Sequence, residues 1–276
     1  MRPAFRQALK YAALTLFAIP WVIVPVWLVV VNSFKPAGEA AELGLGLPRT
    51  WAVAENYGIV LDRGAYLTGL LNSLKVSVPI VAAVVLLGAA AAWAFGRSRS
   101  RWLQAAYFVM GLSILLPPSI IPTVYLLRAL SLDGGSLGYV LTMTGCRVGI
   151  VVFLATGFVR AFPPDLEHAA AIDGASRPQV FVRILLPLLR PVLFVGGVIL
   201  VISVWNDFFF ALFLLQGSAN ATLPLSLFQF ASGTLQSLNW NLVFAHVLLT
   251  TLPLVAVYVA AQKRVLAGLT EGALKG

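Results

Sequence analysis

Few side chains in this chain are equipped for chemistry, and their types narrow what that chemistry can be. The 276 residues include two histidines, His168 and His246, and one cysteine, Cys146. A catalytic triad needs a nucleophile, a base and an orienting acid, and a zinc site needs several His, Cys or acidic ligands together. With two histidines and no cluster of carboxylates and nucleophiles, the chain supplies neither, and no metal site is expected. One cysteine excludes an internal disulfide framework. No G-x-x-x-x-G-K-[ST] phosphate loop occurs, so ATP hydrolysis by this chain is not expected. What remains is of two kinds. Arg147, His246 and the group Trp205-Asn206-Asp207 lie inside long apolar runs. A denser stretch of polar and small residues runs from Pro163 to Ser176.

The elements that carry these residues follow from composition. The chain is 60% hydrophobic and 11% charged, with a mean hydropathy of +0.92. Soluble domains have about 25% charged residues, and one of this size needs them to cover its core. Apolar surface must therefore face lipid. A helix of roughly 20 apolar residues spans the hydrocarbon layer, and six stretches are long enough. They are Tyr11–Val31, Val76–Phe95, Trp102–Leu127, Leu137–Val159, Pro191–Leu215 and Val243–Gln262. The first is too long for the apolar core of a signal peptide and reads as a retained anchor. The Pro117-Pro118 and Pro122 cluster predicts a kink in the third span. The expected architecture is all-α: one polytopic membrane domain over residues 1–276, with about six transmembrane helices.

Charge sets the expected orientation. With the N-terminus inside, the inner segments hold thirteen basic residues, from Arg2, Arg6 and Lys10 to Lys263, Arg264 and Lys275, against four acids. The outer segments hold five basic residues, Lys35, Arg49, Arg63, Lys75 and Arg128, against five acids. Basic residues stay on the cytoplasmic side, so both termini are expected there. The whole net charge of +9 is then topological, and nucleic acid is not an expected partner. The outer loop Phe34–Tyr66 is expected to hold short structure of its own. The uncharged loop Gln216–Asn241 is expected to pack rather than float.

The dense stretch lies in the inner loop at residues 161–190. Pro163-Pro164-Asp165 starts a helix, since proline suits the first turn and acids favour the positive end of the dipole. Ala169, Ala170 and Ala171 continue it, and Gly174 offers the left-handed conformation that ends it. Ser176-Arg177-Pro178-Gln179 has the spacing of a capping box. The second helix that follows carries Val180, Phe181, Ile184, Leu185 and Leu188 on one face, and Pro187 is expected to kink or end it. A two-turn helix is marginal alone in water and is expected to dock on something.

This stretch resembles the EAA loop of ABC-importer permeases, whose pattern is E-A-A, three residues, G, nine residues, then I-x-L-P. Ala169, Ala170, Gly174, Ile184, Leu186 and Pro187 fall in register. His168 stands where the pattern has glutamate, with Glu167 just before it. Further pieces resemble the second permease of maltose-type sugar importers: Asn32-Ser33-Phe34-Lys35, Asn56-Tyr57, Asn72-Ser73, Ala171-Ile172-Asp173-Gly174-Ala175, Trp205-Asn206-Asp207 and the ending Gly268–Gly276. The resemblance implies a type I importer fold in the bacterial cytoplasmic membrane. It implies as partners a second permease, two ATPase subunits that bind ATP and magnesium, and an extracytoplasmic solute-binding protein. The chain itself would carry no cofactor. Glu167, His168, Ala169, Ala170, Asp173, Gly174 and Ala175 would form the contact with the ATPase.

Two readings stay open for the residues inside the spans. Arg147, Trp205, Asn206 and Asp207 are candidates for the translocation path, because intramembrane ionisable groups mark such paths and aromatic faces with hydrogen-bonding groups suit sugars. The same residue types also join helices to one another. His246 reads as a packed histidine. Competing functions are a permease for a non-sugar solute such as a glycerol-phosphate compound, an ion-driven secondary transporter, and a membrane enzyme. The last two would carry paired acids, inverted repeats or clustered catalytic groups, and none is visible.

Overall fold

A computed structural model describes residues 3–116, 118–233 and 239–273. Arg2, Pro117 and Lys275, used above, lie outside the described residues. Among those described, the chain is helical with no strand. Helix α1 runs from Pro3–Ala18 through a π-helical turn at Ile19–Ile23 into Val24–Ser33. Pro20 within that turn cannot donate a backbone hydrogen bond, and a π turn absorbs such a gap. Two short helices follow, α2 (Ala37–Ala40) and α3 (Val53–Arg63), so the first long loop does hold structure of its own. Helix α4 (Tyr66–Arg97) is 32 residues long and begins ten residues before the apolar run does.

The third apolar stretch is not one continuous helix. It forms α5 (Arg101–Leu115) and α6 (Ile120–Ala129), bent by 118° to each other. Leu116, which precedes a proline, is extended at φ −88° and ψ 124°, as pre-proline residues prefer. A prolyl pair then has no N–H to continue the ladder, so the helix ends where a kink was expected. Helix α7 (Ser136–Ala161) crosses as predicted. The loop helix α8 (Asp165–Ile172) precedes α9, which runs unbroken over Arg177–Trp205. Pro187 does not end the second loop helix. A π-helical turn at Phe181–Leu185 opens the turn just before Pro187, giving its ring room, and the helix continues into the span. At its other end α9 stops at Trp205, ten residues before the apolar run does. Helix α10 (Phe209–Leu214), a 3-10 turn at Ser218–Asn220, α11 (Leu223–Gly233) and α12 (Trp240–Ala273) complete the chain. Among the described residues, five helices are long and apolar enough to cross a membrane, or six if the bent pair counts as one.

The helices form two compact units, residues 3–70 with 225–253, and 71–224 with 254–273. The first is organised by buried polar groups. Lys35, 2% exposed, donates from Nζ to Asn32 Oδ1 at 3.0 Å and to the Gly44 carbonyl at 2.8 Å. Asn56 Nδ2 donates to the carbonyls of Ser33 and Lys35, and Asn241 Nδ2 donates to Asn56 Oδ1 at 2.7 Å. Burying an ammonium is costly unless its donors are used, and here two are. Among the described side chains of α1, those buried are Val31, Asn32 and Ser33, at its C-terminal end. His246 lies in this unit, fully buried. Its Nε2 meets the Gly64 carbonyl at 3.0 Å and so must donate, leaving Nδ1 to accept from Thr250. Phe230 stacks on its ring, so it is a packed histidine.

In the second unit α7 packs against α5 and against α9. Helix α4 approaches α7 closely through two glycines. A Cβ at Gly88 would stand 2.7 Å from Val151, and one at Gly96 would stand 2.5 Å from Val159. The contacts advance by eight residues in both chains, so α4 and α7 run parallel. The uncharged loop does pack: Asn72 Nδ2 donates to the carbonyls of Ala219 and Ala221, and Leu223 N donates to Ser73 Oγ.

Candidate functional site

The loop helix is built as its sequence dictates. Pro164 sits at the N-cap, with Asp165 and Glu167 in the first turn. The C-terminus closes by backbone bonds from Asp173 N to Ala169 O, Gly174 N to Ala171 O and Ala175 N to Ala170 O. Gly174 has φ +81°, the left-handed conformation that ends helices and that L side chains resist. A Cβ there would meet nothing within 4 Å, so the demand for glycine is purely conformational. The Ser176 backbone N–H then donates to Gln179 Oε1 at 2.7 Å, closing the capping box that starts α9. The chain thus turns sharply at one residue, between two helices whose ends are satisfied.

The residues that the resemblance assigns to ATPase contact do not share one environment. His168, Ala169, Asp173 and Gly174 are exposed, while Ala170 and Ala175 are half-buried. Ile172, between them, is 87% exposed. A shallow, small-residue surface with one projecting aliphatic side chain is well shaped for close approach of another protein. Glu167 instead faces its own chain. Arg97 Nε donates to its Oε1 at 2.8 Å, and Trp93 Nε1 donates to its Oε2 at 2.9 Å. Both charged side chains are largely covered, at 23% and 15% exposure. Beside them a groove of about 660 Å³ is lined by Trp93, Arg97, Leu103, His168, Ala175 and Arg177, among others. Sequence reasoning missed Trp93 and Arg97 as partners of the loop. Their i, i+4 spacing at the end of α4 puts them on one face, but nothing in the sequence says that Glu167 comes to meet them.

The residues proposed for the path are only partly brought together. Asp207 lies between α9 and α10, where its Oδ2 accepts from Tyr139 OH at 2.9 Å and from Ala211 N at 3.1 Å. Arg147 forms no ion pair with it, although its charge acts on both Asp207 and Tyr139. Arg147 Nε is buried and makes no hydrogen bond. Trp205 is buried at 6% exposure. Asn206 is exposed and ties its Nδ2 to the Ile202 carbonyl, closing the end of α9. Tyr139 was not singled out, since its partner is 68 residues away and no local spacing links them. Among the described residues no three His, Cys, Asp or Glu side chains gather as metal ligands.

Comparison with known proteins bears on this geometry. The family profile described as "Binding-protein-dependent transport system inner membrane component" matches residues 84–270, which include the loop, the Asp207 cluster and most of α12. The chain is 30% identical over 274 residues to the inner membrane ABC transporter permease protein YcjP of Escherichia coli, covering 96% of this chain and 95% of that one. It is 28% identical to the diacetylchitobiose uptake system permease protein NgcG of Streptomyces coelicolor, covering 97% of this chain and 89% of that one. It is also 28% identical to the trehalose transport system permease protein SugB of Mycobacterium tuberculosis, covering 98% and 99%. Among solved structures, a bacterial ABC transporter that imports alginate superposes with a TM-score of 0.80 over 94% of this chain and 96% of that one, at 23% identity. That likeness bears on fold alone, and the fold is the helical one described here. By profile and by relatives along its length, this chain belongs to the binding-protein-dependent transport system inner membrane components, the permeases of ABC transporters.

Proposed function

We propose that the chain is one of two permease subunits of an ATP-driven carbohydrate importer, with both termini cytoplasmic. Separate ATPase subunits bind ATP and magnesium, and an extracytoplasmic binding protein delivers the sugar. The observation that carries this reading is the loop at residues 161–190. Its helix α8 and the turn after it offer His168, Ala169, Ala170, Ile172, Asp173 and Ala175 as a low surface. Gly174 at φ +81° holds that surface at a fixed angle to a capped helix that enters the membrane without a break. An ATPase groove that grips α8 thereby grips a span. The carbohydrate part rests on relatives named for diacetylchitobiose and trehalose transport and on the Ala-Ile-Asp-Gly-Ala form of the loop. Asp207 with Trp205, Asn206 and Arg147 remains the proposed edge of the sugar path.

The test is direct. Ala170 is half-buried, and overpacking a close contact costs about 1–3 kcal/mol. Ala170→Trp should therefore reach the membrane and partner with the other permease, yet lose ATPase subunits on purification. Gly174→Val should do the same through backbone strain of about 1–3 kcal/mol. His168→Glu should be tolerated, because His168 is exposed. Retention of ATPase subunits and full uptake in both disruptive variants would remove the loop from the coupling mechanism. Calorimetry of the cognate binding protein with trehalose and diacetylchitobiose tests the substrate class.

A further inference from the structure

The ion pair beneath α8 has a geometry that a docking surface does not need. Among the described residues, Glu167 is the one residue of α8 whose side chain is hydrogen-bonded, and both of its oxygens are used. Arg97 is the last residue of α4 and Trp93 lies one turn before it. Trp93 also stacks on Phe181 with centroids 5.8 Å apart and planes at 22°, and Phe181 opens the π-helical turn of α9. Glu167 therefore ties the loop helix to the end of α4, and the Trp93 ring reaches on to α9.

We propose that Glu167 is a latch: it holds α8 on α4, so that displacement of α8 by an ATPase subunit is delivered to α4 directly. This deepens the proposed function and rests on α8 being the ATPase seat. Without the latch, no side chain of α8 is hydrogen-bonded to the body among the described residues, and the helix is held by packing and by its end joints at Pro163-Pro164 and Gly174. A two-turn helix on two such joints can roll in place, and a push on it is spent on rolling. With the latch, one carboxylate fixes the roll through two donors of different direction, Nε of a guanidinium and Nε1 of an indole. Charge-assisted hydrogen bonds of this kind are about twice as strong as neutral ones, and here both partners are mostly shielded from water. The force then enters α4, a continuous helix about 48 Å long at 1.5 Å per residue. Helix α4 is seated on α7 at Gly88 and Gly96, so the two would move as one body. Glu167 is thus a positioning residue, and His168 beside it is left free for the partner.

Hydrogen exchange on the full complex with its ATPase subunits, in nanodiscs, tests this without any sugar. Magnesium AMP-PNP serves as the probe, and the readout is its effect on exchange at residues 165–173 and at residues 88–97. In the wild type both segments should respond. In Glu167→Ala and in Arg97→Ala the ATPase subunits should stay bound and 165–173 should still respond. The response at 88–97 should fall about fivefold or more, the scale of an ordinary coupling energy. The double variant should be no worse than either single one. Glu167→Gln, which keeps an acceptor for Trp93 Nε1, should restore part of the response. An unchanged response at 88–97 in Glu167→Ala overturns the latch, and so does loss of the ATPase subunits, which would make Glu167 a direct contact. Absence of any wild-type response at 165–173 would instead strike the reading of α8 as the seat.

Discussion

Asp207 carries the clearest choice between two roles for one residue. Its carboxylate accepts from the Tyr139 hydroxyl and from the first turn of α10, so it joins the break after α9 to α7. A hydrogen bond between helices within a membrane is worth about 0.6–1.7 kcal/mol in measured cases. Tyr139→Phe should therefore lower the melting temperature of the purified complex by a few degrees while leaving the KM for transport unchanged. Asp207→Leu, which removes both bonds, should lower it further. A KM raised in Asp207→Leu but not in Tyr139→Phe would show Asp207 meeting the sugar as well as joining the helices, as proposed. The sequence made Asp207 conspicuous, because an acid in an apolar run needs a reason. Its partner was hidden, because an intramembrane tyrosine needs none. The same asymmetry holds at the loop. Gly174, Ala170 and the Ser176–Gln179 box were legible because helix ends are local chemistry. Arg97 was not legible, because no local spacing links it to Glu167, 70 residues away.

At the scale of elements, proline decided the departures from expectation, and it did so in opposite senses. Before Pro187 a π-helical turn at Phe181–Leu185 keeps the helix intact, whereas the prolyl pair at 117–118 ends α5 and leaves α6 bent away by 118°. One missing N–H can be absorbed by widening a turn, while two in succession cannot. Counting prolines in a window cannot separate the two outcomes. The approach of α4 to α7 is equally invisible in sequence, since Gly88 and Gly96 sit in a run with many small residues. It makes a sharp prediction. Gly88→Leu drives a side chain into Val151 and should cost about 1–3 kcal/mol, read as a lower melting temperature and lower yield. Val151→Ala in the same chain should recover much of the loss. If Gly88→Leu melts like the wild type, the two helices are not held at this contact.

For the whole molecule, the apolar runs and the distribution of arginine and lysine gave a helical membrane protein with about six crossings, and the structure has five continuous candidates and one bent pair. The orientation is a separate matter of charge. In a Cys146→Ala background, single cysteines at Glu55 and Arg99, both exposed, should behave oppositely toward an impermeant thiol reagent in intact cells. Position 55 should label and position 99 should not, and labelling of 99 would reverse the topology. The buried knot around Lys35 adds a consequence in time. Helix α1 buries side chains only at Val31, Asn32 and Ser33 among its described residues, and the knot there is completed by Asn241 through Asn56. Ribosomes add about 5–20 residues per second, so Asn241 follows Lys35 by roughly ten to forty seconds. Throughout that interval the first helix has no finished seat in its own chain. It must wait in the bilayer as a lone apolar rod, which its uncharged sequence from Tyr11 to Phe34 equips it to do, until α12, which carries Asn241, fastens it.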